Sequence, residues 1–319
     1  MRREDIERIL GPRFLKAGSQ VLGSSWQGKG MERQVTIGRT AAVVSVMMLA
    51  TGPSIVKISE LPEMTFIFWR LGAAALGYAV ALRLSGKRFS WEAWRRSLLG
   101  GLVFGVNLVF FVLGMRRTSA ANAVMIGALQ PVVLIGVAGP FFGERPRRTI
   151  YFWSLLAMGG VALSMVASGS EGVASRQGDL LAFAGMLLFS AYFVVSKKAR
   201  QELDSMTYQL GLTLTAVLVV VPFAVFMGQS LAPPGGADWW PVLLMAAIPG
   251  TGHWLTNYAH GQVSLVAMSL INLLFTVVAP LYAWVLVGET VGGWQAAGMG
   301  LVLVALTMVV SRPIEAVSR

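Results

Sequence analysis

Five hydrophobic segments in the second half of this chain repeat the five of the first half at an offset of 140 to 145 residues. Five is odd, so a chain that crosses a layer once per segment returns to the far side after one copy, and the second copy must sit upside down. The correspondence is clearest between segments three and four and segments eight and nine. At an offset of 145, Gly105 falls on Gly250, Ser119 on Ser264, Gly143 on Gly288 and Glu144 on Glu289. Segment five ends Ala162-Leu163-Ser164-Met165-Val166-Ala167-Ser168 and segment ten ends Ala305-Leu306-Thr307-Met308-Val309-Val310-Ser311, an offset of 143, while Lys57 matches Lys197 at 140. The offset shifts only between segments, where loops absorb insertions.

The layer is a bilayer. Hydrophobic residues make up 55% of the 319 and charged residues only 13%, with a mean hydropathy of +0.66, which marks a polytopic membrane protein. A hydrocarbon core of roughly 30 Å needs about 20 apolar residues per helix. Ten stretches qualify: 36–57, 63–84, 97–115, 119–142, 150–168, 178–199, 206–228, 239–259, 264–287 and 293–311. They are continuously apolar, whereas barrel strands alternate. The expected fold is therefore all-α, with ten transmembrane helices as two inverted five-helix repeats over 36–168 and 178–311. An N-terminal arm (1–35) and a short tail (312–319) flank them.

A net charge of +11 would point to nucleic acid in a soluble protein, but here its placement follows the span boundaries. With the N-terminus inside, inner segments hold the basic residues from Arg2 through Arg39, Arg83 to Arg96, Arg145 to Arg148, Lys197 to Arg200, Arg312 and Arg319. Outer loops keep Lys57, Arg116, Arg117 and Arg176. Both termini are expected in the cytoplasm and no nucleic-acid partner is expected. The polar, basic arm lacks a small-residue cleavage site and reads as a cytoplasmic extension rather than a removable signal.

Several motifs carry a resemblance. Trp69-Arg70 stands in span two, Arg117-Thr118-Ser119-Ala120-Ala121 joins spans three and four, and Gly143-Glu144 follows Pro131. The second copy repeats Ser264 and Gly288-Glu289, but has Thr276 where the proline would be, with Pro280 one turn later. In this order the chain resembles the drug/metabolite transporter superfamily, of the type built from two EamA domains, over about residues 36 to 311. Within it the chain is most similar to bacterial exporters of aromatic amino acids. The resemblance implies a bacterial inner-membrane efflux carrier with alternating access and a central cavity lined by spans one, three, four, six, eight and nine.

Polar side chains within such spans should point inward, because an unpaired amide or hydroxyl in hydrocarbon is costly. Candidate substrate-binding residues are Asn107 in span three, Asn122 and Gln130 in span four, and Tyr192 in span six. Span eight adds His253, Trp254 and Asn257, where His253 and Asn257 share a face at i, i+4 after a Pro-Gly-rich turn. Span nine adds Ser269, Asn272 and Thr276 at i, i+3 and i+7, one helical face. For each of these the competing reading is helix–helix packing. Pro53, Pro131, Pro249 and Pro280 are hinge candidates. Trp91, Trp94, Trp239 and Trp240 read as an interfacial belt. Arg70 reads as a structural ion-pair or snorkelling residue, and Lys57 and Lys197 as snorkelling span ends.

Enzyme chemistry has no foothold: there is no Cys, only two His, and no metal-ligand spacing, so neither cofactor nor metal is expected. No carboxylate lies mid-span, which disfavours tight proton coupling. The expected activity is facilitative export of small neutral or zwitterionic metabolites, amino acids including aromatic ones. The alternatives are a proton-coupled exporter of amphipathic drugs and a channel-like permease. The expected partners are a small-molecule substrate and the lipid bilayer, and oligomerisation is not required.

Overall fold

The computed structural model describes residues 33–117, 126–144, 148–167, 176–288 and 291–310. Within them span one comprises 33–49 and Gly52–Ile58, span two Glu63–Leu84, span three Trp91–Arg117 and span four Gln130–Phe142. Span five is Arg148–Ala167, span six Arg176–Ala199, span seven Ser205–Phe226 and span eight Trp239–His260. Span nine comprises Leu265–Asn272 and Phe275–Val287, and span ten is Gly293–Val310. No strand occurs among the described residues. Six spans are long and apolar enough to cross a bilayer by those measures alone, namely one, two, three, six, seven and nine. Four, five and ten include shorter apolar helices.

Span three begins six residues before its apolar run. The Ser90 hydroxyl accepts the Ala93 amide at 3.1 Å, and Arg96 pairs with Glu92 and Glu202 at 2.8 Å each, so a charged first turn is capped and neutralised outside the hydrocarbon. Large apolar side chains face outward along the helices, Leu76, Leu155, Leu180, Val225 and the 89% exposed Phe226 among them. In water such a surface would aggregate; against acyl chains it costs nothing.

The packing obeys the repeat. Span three lies along six and seven, and its counterpart, span eight, lies on one and two. Span four touches six as nine touches one, five pairs with ten, and four meets nine. The approach of spans three and seven is close because small residues line it: a Cβ at Gly101 would meet the Leu212 carbonyl oxygen at 2.6 Å.

Polar contacts gather the span ends into two sets. At the basic end Lys87 pairs with Asp204 at 3.2 Å, and both Glu144 oxygens accept the amides of Leu265 and Val266 at 2.7 and 3.1 Å. At the opposite end Glu63 binds Arg116 at 3.1 Å and Gln229 at 2.7 Å, Thr65 donates to the Ser230 carbonyl, and the Trp69 indole donates to Ala232 at 3.1 Å. These contacts require spans to alternate up and down, so the halves are inverted. The repeated Gly-Glu also has a structural use: Gly143 and Gly288 end spans four and nine in the left-handed region, at φ 66° and 77°. Glu289 lies outside the described residues.

Three sequence expectations are corrected. Lys197 is not a free snorkelling end: its side chain is only 15% exposed, pairs with Glu144 at 3.6 Å and donates to the Val263 carbonyl at 2.7 Å. Of the four belt tryptophans, Trp91 and Trp240 are exposed, but Trp94 donates to Thr215 at 3.0 Å and Trp239 packs edge-on against Trp69. Those two brace helices instead.

Two outcomes follow. Gly101→Val should lower the melting temperature in detergent, by overpacking worth about 1–3 kcal/mol. Gly136→Ala, where an added Cβ meets nothing within 4 Å, should leave it unchanged or slightly raised. The second concerns Asp204, which caps span seven by accepting the Thr207 amide and hydroxyl. Burial pushes its carboxyl up, but Thr207 and Lys87 outweigh this and hold it below the usual carboxylate value. A depressed carboxyl stabilises the fold above the unfolded value of about 3.9 and loses that contribution as pH falls through the folded value. Asp204→Ala should therefore cost about 1 kcal/mol at neutral pH, and its thermal-melt deficit should close in strong acid.

Candidate functional site

Spans four and nine break at matching positions. Residues 128–129 and 273–274 form turns, and the hydrogen bonds across them repeat at an offset of 145. The Leu129 amide donates to Ile126 and the Val132 amide to Leu129; Leu274 donates to Ile271 and Val277 to Leu274. All four are i to i−3 bonds, the tightened ladder found where a helix hinges or serves a site. The two breaks use different chemistry. In span four Pro131 sits in the first turn of the resumed helix, where its missing amide proton costs little. In span nine Thr276 occupies that position and its hydroxyl donates to the Leu273 carbonyl at 2.7 Å.

The breaks meet across the repeat interface. Asn272 Nδ2 donates to Gln130 Oε1 at 2.9 Å, which leaves the buried Gln130 Nε2 without a partner. A third break lies in span one at 50–51, and Pro53 opens the resumed helix there. Span one packs through that second half on spans eight and nine. Of the remaining hinge candidates, Pro249 and Pro280 lie inside continuous helix, where each removes one ladder donor.

The span eight cluster divides. His253 sets its ring edge-on to Phe104 at 4.8 Å, and its Nδ1 has no partner. Phe104 also meets Tyr192, which stacks with Phe189. Asn257, one turn on, is fully buried and engaged at both ends of its amide. Tyr192 donates to its Oδ1 at 3.1 Å, and its Nδ2 donates to Gln209 Oε1. Gln209 in turn donates to Thr213, so spans six, seven and eight share one satisfied polar chain. Trp254 turns to span seven, donating to Ser205 at 3.2 Å.

Other candidates serve packing. Asn107 donates to the Gly185 carbonyl at 2.8 Å, tying span three to six, a bond worth about 1 kcal/mol or less between membrane helices. Ser269 is fully buried and donates to Val266. Asn122 lies outside the described residues. Sequence reasoning passed over Gln209 and Ser54, although an amide in an apolar run and a serine beside Gly52-Pro53 were visible signals.

Arg70 requires the largest revision. It is 4% exposed, its Nε has no hydrogen-bond partner, and none of the ion pairs among the described residues includes it. It neither snorkels nor joins an ion pair there. An uncompensated charge at such a place is held at a cost of several kcal/mol. Six polar atoms thus stand buried and unpaired on spans one, two, four and eight: Ser54 Oγ, Arg70 Nε, Gln130 Nε2, His253 Nδ1 and, at the basic end, both ring nitrogens of His260.

The chain is similar to the pseudopaline exporter CntI of Pseudomonas aeruginosa, 24% identical over 276 residues, covering 84% of this chain and 94% of that one. It is also similar to the transporter YcxC of Bacillus subtilis, 24% identical over 214 residues, covering 62% and 66%. A solved crystal structure at 17% identity superposes with a TM-score of 0.72, covering 88% of this chain and 96% of that one, and shows the same fold. The model of the EamA-like transporter family matches twice, at residues 36–166 and 176–311. With its lipid-facing apolar surface and bacterial relatives, this is a multi-pass inner-membrane protein and not an enzyme. The chain belongs to the EamA-like transporter family.

Proposed function

We propose that this chain exports small neutral or zwitterionic metabolites, aromatic amino acids among them, by alternating access at a site between the two repeats. The carrying observation is the pair of matched breaks in spans four and nine joined by Asn272 and Gln130. Discontinuous helices at a repeat interface are where carriers offer polar groups to a ligand in mid-membrane, here the unpaired Gln130 Nε2, and a break shared by two inverted halves gives each side one hinge. The Phe104, Tyr192 and Phe189 rings packed beside His253 form an apolar, polarisable cluster, the kind of surroundings that favour an aromatic side chain. The exporter among the relatives supports outward transport, and the basic ends of the spans support cytoplasmic termini.

Transport in this reading is facilitative. Every carboxylate among the described residues lies at a span end or in a connection, Glu63, Glu92, Glu144 and Asp179 being the ones nearest the hydrocarbon, so none of the described carboxylates stands at the midplane as a proton carrier. Radiolabelled phenylalanine and tryptophan in proteoliposomes should show saturable counterflow that ignores an imposed pH gradient. Accumulation driven by that gradient would replace this reading with proton coupling, and non-saturable flux would replace it with a channel.

The matched breaks make a separate forecast. Gln130→Ala and Asn272→Ala should each reduce counterflow by about tenfold or more, the equivalent of 1.4 kcal/mol, with monodisperse protein at wild-type yield. Equal loss of yield and flux would assign the pair to folding alone.

A further inference from the structure

The guanidinium of Arg70 is the one charge in the described interior that the protein leaves without a counter-charge. It stands seven residues into span two, about 10 Å along the helix from Glu63. The neighbouring contacts define where it faces. Further along the same helix Ala74 and Tyr78 seat on span eight: the Tyr78 hydroxyl donates to the Gly250 carbonyl at 2.6 Å, and Ala74 Cβ is 3.6 Å from where a Gly250 Cβ would lie. Span one's second half reaches span eight from the other side, with Gly52 against Met245 and Pro249. Spans one, two and eight therefore converge around residues 245–253, and each brings an unpaired polar atom, Ser54 Oγ, Arg70 Nε and His253 Nδ1.

We propose that Arg70 is the anion anchor of the transport site, receiving the carboxylate of the substrate, with Ser54 and His253 as neutral polar neighbours. This rests on the central-site reading above and narrows its substrate class to molecules that carry a carboxylate, which excludes cationic dyes. The chemistry is direct. A guanidinium presents a planar fork of donors matched to two carboxylate oxygens, and a bound carboxylate supplies the counter-charge and the hydrogen-bond acceptor that no described residue gives Arg70 Nε. A zwitterion would then direct its side chain towards the aromatic cluster that holds Phe104 and Tyr192.

The test compares matched acid and amide ligands. Competition of L-phenylalanine and L-phenylalaninamide against labelled phenylalanine counterflow is measured for wild type, Arg70→Gln and Arg70→Lys, with thermal melts of each protein plus and minus both compounds. Wild type should prefer the acid by about 10- to 100-fold, the range of one charge-assisted interaction. Arg70→Gln should lose that preference while binding the amide as before, and Arg70→Lys should keep part of it. Loss of affinity for acid and amide alike in Arg70→Gln, or an acid preference unchanged by the substitution, overturns the anchor. So does wild-type binding that ignores the acid-to-amide change, which would leave the central-site reading standing. If wild type binds neither compound and shows no counterflow, the anchor and the amino-acid reading fall together.

Discussion

In hydrocarbon, a backbone amide or carbonyl that loses its helical partner has no water to turn to, and the rest of this structure depends on that constraint. A helix there is interrupted only where protein surrounds the interruption. Spans four and nine break where they face each other, and their freed groups are taken up by i to i−3 bonds and by the Thr276 hydroxyl. The outer surface, by contrast, is continuous helix studded with leucine, valine and phenylalanine. The fold thus confines irregular backbone to the seam between repeats.

The same constraint sorts the polar side chains. Most of those within the spans are spent on holding helices together, as Asn107 is on Gly185 and Ser45 on Thr256. The Tyr192, Asn257, Gln209 and Thr213 chain is closed on itself, and opening it for a ligand would expose unpaired amides at a cost of about 1–3 kcal/mol each. Groups left open are few, and they concentrate on spans one, two, four and eight. At the basic end His260 is also buried with both nitrogens unpaired, its ring against Phe193, beside the Glu144 and Lys197 clasp that ties span four to spans six and nine. That clasp crosses between repeats, so any rocking of one half against the other must strain or break it.

Much of the architecture was legible because hydropathy, charge bias and repeat offset are one-dimensional signals. Span two was read to the residue at both ends, since its apolar run stops where its charges begin. Span three was not, since its first turn is charged and is stabilised by Glu202 from another repeat. Lys197 and Trp94 looked like span-end residues, and only their partners, Glu144 and Thr215, make them braces between spans. The site was legible as a set of polar residues but not as a sorted set. Gln130 and Asn272 lie 142 residues apart, and no local pattern announces that one meets the other.

The sequence by itself determined the inverted ten-span plan, because an odd number of apolar segments duplicated at a near-constant offset admits no other threading of a bilayer. It also determined the left-handed ends at Gly143 and Gly288, because only glycine takes that backbone angle cheaply. Tertiary structure alone decided which polar groups are satisfied. Satisfaction is a property of pairs brought together from distant spans, so the closure of Asn257, the half-open amide of Gln130 and the solitary charge of Arg70 appear only when the two repeats are packed against each other.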